Sequence, residues 1–132
     1  MNLIIREYTE QDWFDIMSIS KDQWAKAITS TALSLLKNYD GEVLKTFLAI
    51  CDNSVVGFIY GFILPSQTLI PEFMYIKPEY RHQGIAQKLL FELEIKSGCK
   101  SSMIFYHNSL HDFYKMQGYQ SGENLEVAMK EL

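Results

Sequence analysis

The junction at Gly84 constrains this chain more than any other feature. Ahead of it, Gln67 to Ile76 reads as a β-strand. Behind it, Gly84 to Ser97 carries Ile85, Ala86, Leu89, Leu90 and Leu93 on one stripe, with Gln87, Lys88, Glu92, Glu94 and Lys96 on the other. That spacing predicts a helix with one apolar face, stopped by Gly98. A strand that becomes a helix within a few residues must lay that helix back across its own sheet, so the chain is predicted to be α/β with helices on a mixed sheet.

The rest of the chain fits that frame. Leu3 to Tyr8 predicts a first strand. Thr9 with Asp12 three residues on, flanked by Tyr8 and Trp13, predicts a capped helix from Glu10 to about Ser20. A second helix is predicted over Ser30 to Lys37, ended by Tyr39-Asp40-Gly41. Leu44 to Cys51 and Val55 to Leu64 read as a hairpin turning at Asp52-Asn53-Ser54. Ser101 to Tyr106 predicts a strand, Leu110 to Met116 a short helix ending at Gly118, and Leu125 to Leu132 a last strand. Pro71 falls inside a predicted strand, where it cannot donate to a ladder; it marks a bulge or a splay there.

Length and composition exclude several classes. The 132 residues suit one domain spanning the chain, and 48% hydrophobic with 14% aromatic residues is enough for a core. A net charge of −4 argues against a nucleic-acid partner and suits a cationic one. The first residues reach Arg6 and Glu7 too soon for a signal peptide, and no apolar run approaches the roughly 20 residues that cross a bilayer, so no membrane role is expected. Two cysteines, Cys51 and Cys99, read as reduced structural thiols, and the expected location is cytoplasmic. His82, His107 and His111 complete no ligand set, so no metal is expected.

The chemistry concentrates in the turn before the helix, Pro78-Glu79-Tyr80-Arg81-His82-Gln83-Gly84-Ile85-Ala86. A helix N-terminus offers unpaired N–H groups and the positive end of a dipole, which together seat phosphate. Gly84 lets the backbone approach a ligand, Ala86 keeps the first turn open, and Arg81 and His82 add donors. Arg-x-x-Gly-x-Ala alone arises by chance in about one in ten chains of this length, so its place between a strand and an amphipathic helix carries the signal.

This segment resembles the acyl-CoA-binding motif of the GNAT N-acetyltransferases, and Phe113-Tyr114-Lys115-Met116-Gln117-Gly118-Tyr119 resembles the family's second motif. The start, Ile4-Ile5-Arg6, and the end, Val127 to Leu132, are similar in order as well. The resemblance implies a GNAT fold over the whole chain: about six to seven strands, a splay between the fourth and fifth, and about four helices. It implies acetyl-CoA as co-substrate. Its pantetheine arm would bond the backbone of Met74, Tyr75 and Ile76, its pyrophosphate would sit on Arg81, His82, Gln83, Gly84, Ile85 and Ala86, and Asn108 would bond the arm. It also implies Tyr114 as the general acid for the leaving thiolate, against the plainer reading of a packed aromatic.

The reaction implied is direct attack of a primary amine on the thioester in a ternary complex. Glu72 is the candidate base, on the same strand face as Met74 and Ile76 and partly buried; a solvated acid is the alternative. An N–H of Met74 or Ile76 is the candidate oxyanion donor, and Met74 with Phe105 would bound the acyl chain. Trp13, Trp24, Tyr39, Tyr60 and Phe62 are candidates to wall the acceptor pocket, although core packing explains them equally. The acceptor, a small molecule or a protein, is unnamed, and pairing into a homodimer stays open. The alternative function is a module of the same fold that binds acyl-CoA without turnover.

Overall fold

The computed structural model describes residues 2–19, 38–122 and 126–132. Five strands form one sheet in sequence order: β1 (Leu3–Glu7), β2 (Leu44–Cys51), β3 (Ser54–Leu64), β4 (Thr68–Ile76) and β5 (Ser101–Ser102). The first four run antiparallel to their neighbours, and β5 joins β4 in parallel. Among the described residues, three helices accompany them: α1 (Trp13–Ile19), α2 (Ile85–Lys96) and α3 (His111–Met116).

The hairpin between β2 and β3 closes tightly because Asp52 and Asn53 both accept left-handed backbone, with φ of 49° and 67°. Cys51 pairs Ser54, so these two residues are the whole loop. Such a turn matches the right-handed twist of the strands it joins. The start of α1 is set by one carboxylate. Asp12 accepts the Thr9 N–H at 2.8 Å and both arms of the Arg6 guanidinium at 2.7 and 2.8 Å. The Arg6 bonds hold its pKa below the usual carboxylate range. A 3-10 turn over Glu10–Asp12 precedes the helix, which is why the α-helix itself starts three residues later than the sequence suggests.

Strand alternation divides the core between the two faces of the sheet. Phe47, Ala49, Cys51, Ile59, Leu69 and Ile76 face α2, where Ile85, Leu89, Leu90 and Leu93 are buried against them. Each of those four helix side chains contributes about 2 kcal/mol by leaving water. Tyr8, Leu44, Leu48, Phe58 and Tyr60 face α1 instead, with Ile16 and Ile19. No described helix is long and apolar enough to span a membrane.

Two expectations change, and others are not tested: the predicted second helix, Ser30 to Lys37, and the candidate wall residue Trp24 both lie outside the described residues. The predicted strand Ser101–Tyr106 pairs only through Ser102, with one further bond from the Met103 N–H to the Leu69 carbonyl at 2.8 Å. The predicted last strand is absent from residues 126–132, where Val127, Met129 and Leu132 are exposed; so short an apolar run with no ladder beside it does not hold a strand alone. Described strands therefore number five.

Candidate functional site

Two irregularities in β4 build the site. The first is a bulge. Tyr60 pairs Phe73 and Gly61 pairs Pro71, leaving Glu72 as an extra residue. The bulge occurs where Pro71 has no donor and where Gly61 lets the strands close up: a Cβ on Gly61 would stand 3.0 Å from the Ile70 carbonyl. The second is the parting of β4 from β5. Pairing ends at Leu69 and Ser102. The neighbouring chain then diverges, so among the described residues the edge of β4 from Ile70 to Ile76 has β3 on one side and no ladder on the other. A wedge opens along that edge, where β4 has no ladder partner among the described residues.

The bulge alters the reading of Glu72. Alternation holds beyond it, with Met74 and Ile76 toward α2 and Phe73 and Tyr75 toward α1. Glu72 itself is exposed rather than partly buried. Its charge reaches the opposite face, where it adds to the rise that burial gives the Tyr60 phenol. An inserted residue breaks the period-two rule that placed Glu72 with Met74.

At the far end of β4 the chain turns into α2. Pro78–Tyr80 form a single 3-10 turn, and Arg81, His82, Gln83 and Gly84 follow as an exposed stretch. His82 and Gly84 have φ of 62° and 83°. A Cβ on Gly84 would meet nothing within 4 Å, so the space above the helix end is open. Ile85 is buried and Ala86 half-buried in the first turn. The first intrahelical bond runs from the Lys88 N–H to the Gly84 carbonyl, so the N–H groups ahead of it point outward. This cradle fits a phosphate. The Arg81 side chain lies to one side: its Nε donates to the Ile76 carbonyl at 2.7 Å, and its guanidinium sits 5.5 Å from the Tyr75 ring centre.

Tyr114 lies on α3, buried in the cluster that contains Ile76, Ile85 and Leu89 and has Met74 against it. Tyr106 and Tyr119 flank its ring at centroid distances of 4.7 and 5.7 Å. Burial raises its pKa and Tyr106 adds to the rise, so it holds its proton at neutral pH. Tyr119, the closing aromatic of the second motif, is engaged with Glu94 and Ser102 at 2.8 and 2.7 Å and tethers α3 to α2 and β5.

Not every predicted residue joins this group. Asn108 opens a 3-10 turn, is exposed, and lines an outer groove with His111 and Tyr106. Phe105 is 63% exposed, whereas Ile104 and Tyr106 pack with Met74 in the α2-side core. The inward pair along this stretch is therefore Ile104 and Tyr106, which alternation could have identified once one inward residue was known. Tyr60 is fully buried on the α1 side, and its hydroxyl has no partner among the described residues.

Comparison with known proteins agrees with this geometry. The family described as acetyltransferase (GNAT) domain matches residues 43–121. No curated protein sequence matches the chain. Among solved structures, the chain is similar to the aminoglycoside N-acetyltransferase AAC(6')-Iy in complex with CoA, with TM-score 0.75 and 15% identity over 98% of this chain and 100% of that one. It is similar to the PaiA N-acetyltransferase of Thermoplasma acidophilum in complex with coenzyme A, with TM-score 0.74 and 20% identity over 94% and 93%. It is also similar to a ribosomal-protein-alanine N-acetyltransferase from Brucella melitensis, with TM-score 0.70 and 14% identity over 99% of each chain. Identities this low establish the shared fold.

Proposed function

The chain belongs to the GNAT acetyltransferase family, and from that premise we propose that it transfers the acetyl group of acetyl-CoA to a primary amine by direct attack in a ternary complex. The observation that carries this reading is the wedge between β4 and the diverging chain after Ser102, which has the open cradle at Gly84 beyond the end of β4 and the buried phenol of Tyr114 among the side chains packed against that strand.

Acetyl-CoA fits these surfaces. The pantetheine amides bond the free edge of β4 along Met74, Tyr75 and Ile76, as an added strand would. The pyrophosphate lies on the N–H groups between Arg81 and Ala86. An N–H of Met74 or Ile76 supplies the oxyanion donor. Glu72 takes the amine proton, directly or through water, from its exposed position at the bulge. Tyr114 gives its proton to the departing thiolate; its raised pKa keeps it in the acid form until then. We assign the work to the cytoplasm, in keeping with the free thiols of Cys51 and Cys99.

Free-thiol release from acetyl-CoA against a panel of amines tests the reading. Wild type is expected to turn over at least one amine class. Tyr114→Phe is expected to lower kcat by about 100-fold with the acetyl-CoA Kd unchanged. Tight acetyl-CoA binding without turnover of any amine or protein acceptor would replace the enzyme by a binding module.

A further inference from the structure

In the reading above acetyl-CoA bonds two surfaces at once, the edge of β4 that faces the wedge and the cradle before α2. One molecule reaches both only while the turn between them holds its shape. That turn is short. Ile76 ends β4, Pro78–Tyr80 make one 3-10 turn, and α2 starts at Ile85. Within it the Tyr80 N–H donates to the Lys77 carbonyl at 2.9 Å, and the Arg81 N–H to the Pro78 carbonyl at 3.2 Å. Neither bond reaches back to β4.

The Arg81 side chain does. Its Nε donates to the Ile76 carbonyl at 2.7 Å, five residues back. The direction of that carbonyl follows from its neighbour. The Lys77 N–H donates to the Val56 carbonyl of β3 at 2.8 Å, and the C=O and N–H of one trans peptide point opposite ways. The Ile76 carbonyl therefore faces away from β3, toward the wedge. By alternation the Met74 groups and the Ile76 N–H face the same edge. Arg81 thus takes up the last acceptor of the edge on which the pantetheine arm is placed. The rest of its guanidinium turns toward α1. It lies 5.5 Å from the centre of the Tyr75 ring, on the α1 side of the sheet, and lines a hollow with Ser18 and Ile19 of α1. A bond this short from a cation is among the strong ones, and stacking on an aromatic ring holds a planar guanidinium in place.

We propose that Arg81 is a positioning residue for acetyl-CoA: the bond from its Nε to the Ile76 carbonyl fixes the turn between β4 and α2, so that the edge and the cradle stand in register for one ligand. This rests on acetyl-CoA being bound as described above. The side chain acts through a donor at one place and not through its charge on the diphosphate. The donor is committed to the strand end, and the guanidinium lies by Tyr75, while no atom stands within 4 Å of a Cβ at Gly84. The N–H groups of the cradle meet a phosphate without help from a side chain. The ligand then bonds Met74 and the Ile76 N–H, and the Ile76 carbonyl stays with Arg81.

Calorimetric titration of the intact protein with acetyl-CoA separates donor from charge. Glutamine carries an N–H donor on its δ-carbon, where arginine carries Nε, and has no charge. Lysine keeps the charge and has a methylene at that place. Arg81→Lys is expected to weaken acetyl-CoA binding about tenfold. Arg81→Gln is expected to recover to within about threefold of wild type, with the salt dependence of Kd unchanged. In thiol release the Arg81→Lys loss is expected in the acetyl-CoA KM, with kcat and the amine KM near wild type. The reverse order, with lysine tight and glutamine weak, puts the guanidinium on the diphosphate and overturns the proposal. Equal losses in both variants deny that the donor suffices and overturn it too. A Kd that holds in Arg81→Lys, whether or not its urea midpoint falls, leaves the bond to stability alone and also overturns it. A wild type that does not bind acetyl-CoA overturns the cofactor reading, and the role of Arg81 with it.

Discussion

The β2–β3 ladder and the β4–β5 pair are parts of one sheet that end in opposite ways. The first pairs from Leu44 to Cys51 and closes on a two-residue turn. The second pairs at Thr68 and Leu69 and then lets go. Where the ladder is complete, backbone groups are satisfied by the protein and the side chains above them are core. Where it stops, the edge of β4 has no ladder partner among the described residues. The fold thus separates a half that supplies stability from a half that holds the proposed binding edge, and substitutions in the two are expected to read out differently.

The largest effect is expected on the complete side. Leu48 is fully buried against α1, and Leu48→Ala removes its contacts and leaves a cavity costing about 3 kcal/mol. Urea unfolding measures that loss. The acetyl-CoA Kd of the folded variant is expected to stay within about twofold, since a factor of ten needs about 1.4 kcal/mol and Leu48 faces away from the wedge. A Kd that moved tenfold would break the separation.

The converse is expected at Gly84. Gly84→Glu places a carboxylate over the N–H groups proposed to hold pyrophosphate. Its side chain meets no protein atom, so the folded state loses only about 1 kcal/mol for a non-glycine residue at φ of 83°. Acetyl-CoA affinity is expected to fall by at least about tenfold, from like-charge repulsion and the blocked approach. Calorimetric titration checks this. Gly84→Ala, with the same backbone strain and no charge, separates the two causes. Equal losses in both variants would assign the effect to the backbone.

The contrast between the halves also decided what could be read in the sequence. Complete ladders announce themselves: β2, β3 and α2 fall within a residue or two of where periodicity puts them, because side-chain sidedness and backbone pairing coincide there. At the wedge they part. Residues 101 to 106 keep alternating in burial while pairing stops at Ser102, so the strand pattern reported sidedness and was silent on pairing. Period two alone gave Phe105 no assured inward face, and Ile104 and Tyr106 took it. Glu72 was misplaced because one inserted residue reverses the sides, although Pro71 beside it carried the warning. The cradle was legible because a glycine before an amphipathic helix is a local signal. The outer groove that Tyr106, Asn108 and His111 line was not, because only the folded chain brings its walls together.

The smallest effect in the working range comes from pH, and it is shared by the two halves. Burial pushes the Tyr8 phenol up to about 12, and Tyr39 and Tyr60 on the α1 side and Tyr119 beside the wedge are raised as well. In the unfolded chain these phenols titrate near pH 10, as model tyrosines do at about that value. Below pH 9 both states are protonated, so stability is expected to be flat with respect to these groups. As pH rises past 10 the unfolded state loses protons that the folded state keeps, and stability is expected to fall toward 12. Urea midpoints at pH 8, 10 and 11 measure the decline. Tyr60→Phe sharpens the comparison, since its hydroxyl has no partner among the described residues: the substitution removes a buried group unsatisfied by them and one raised phenol at once, so the variant is expected to be at least as stable as wild type at pH 8 and to lose less between pH 10 and 11. A loss at pH 8 would mean that the hydroxyl makes an interaction the fold depends on.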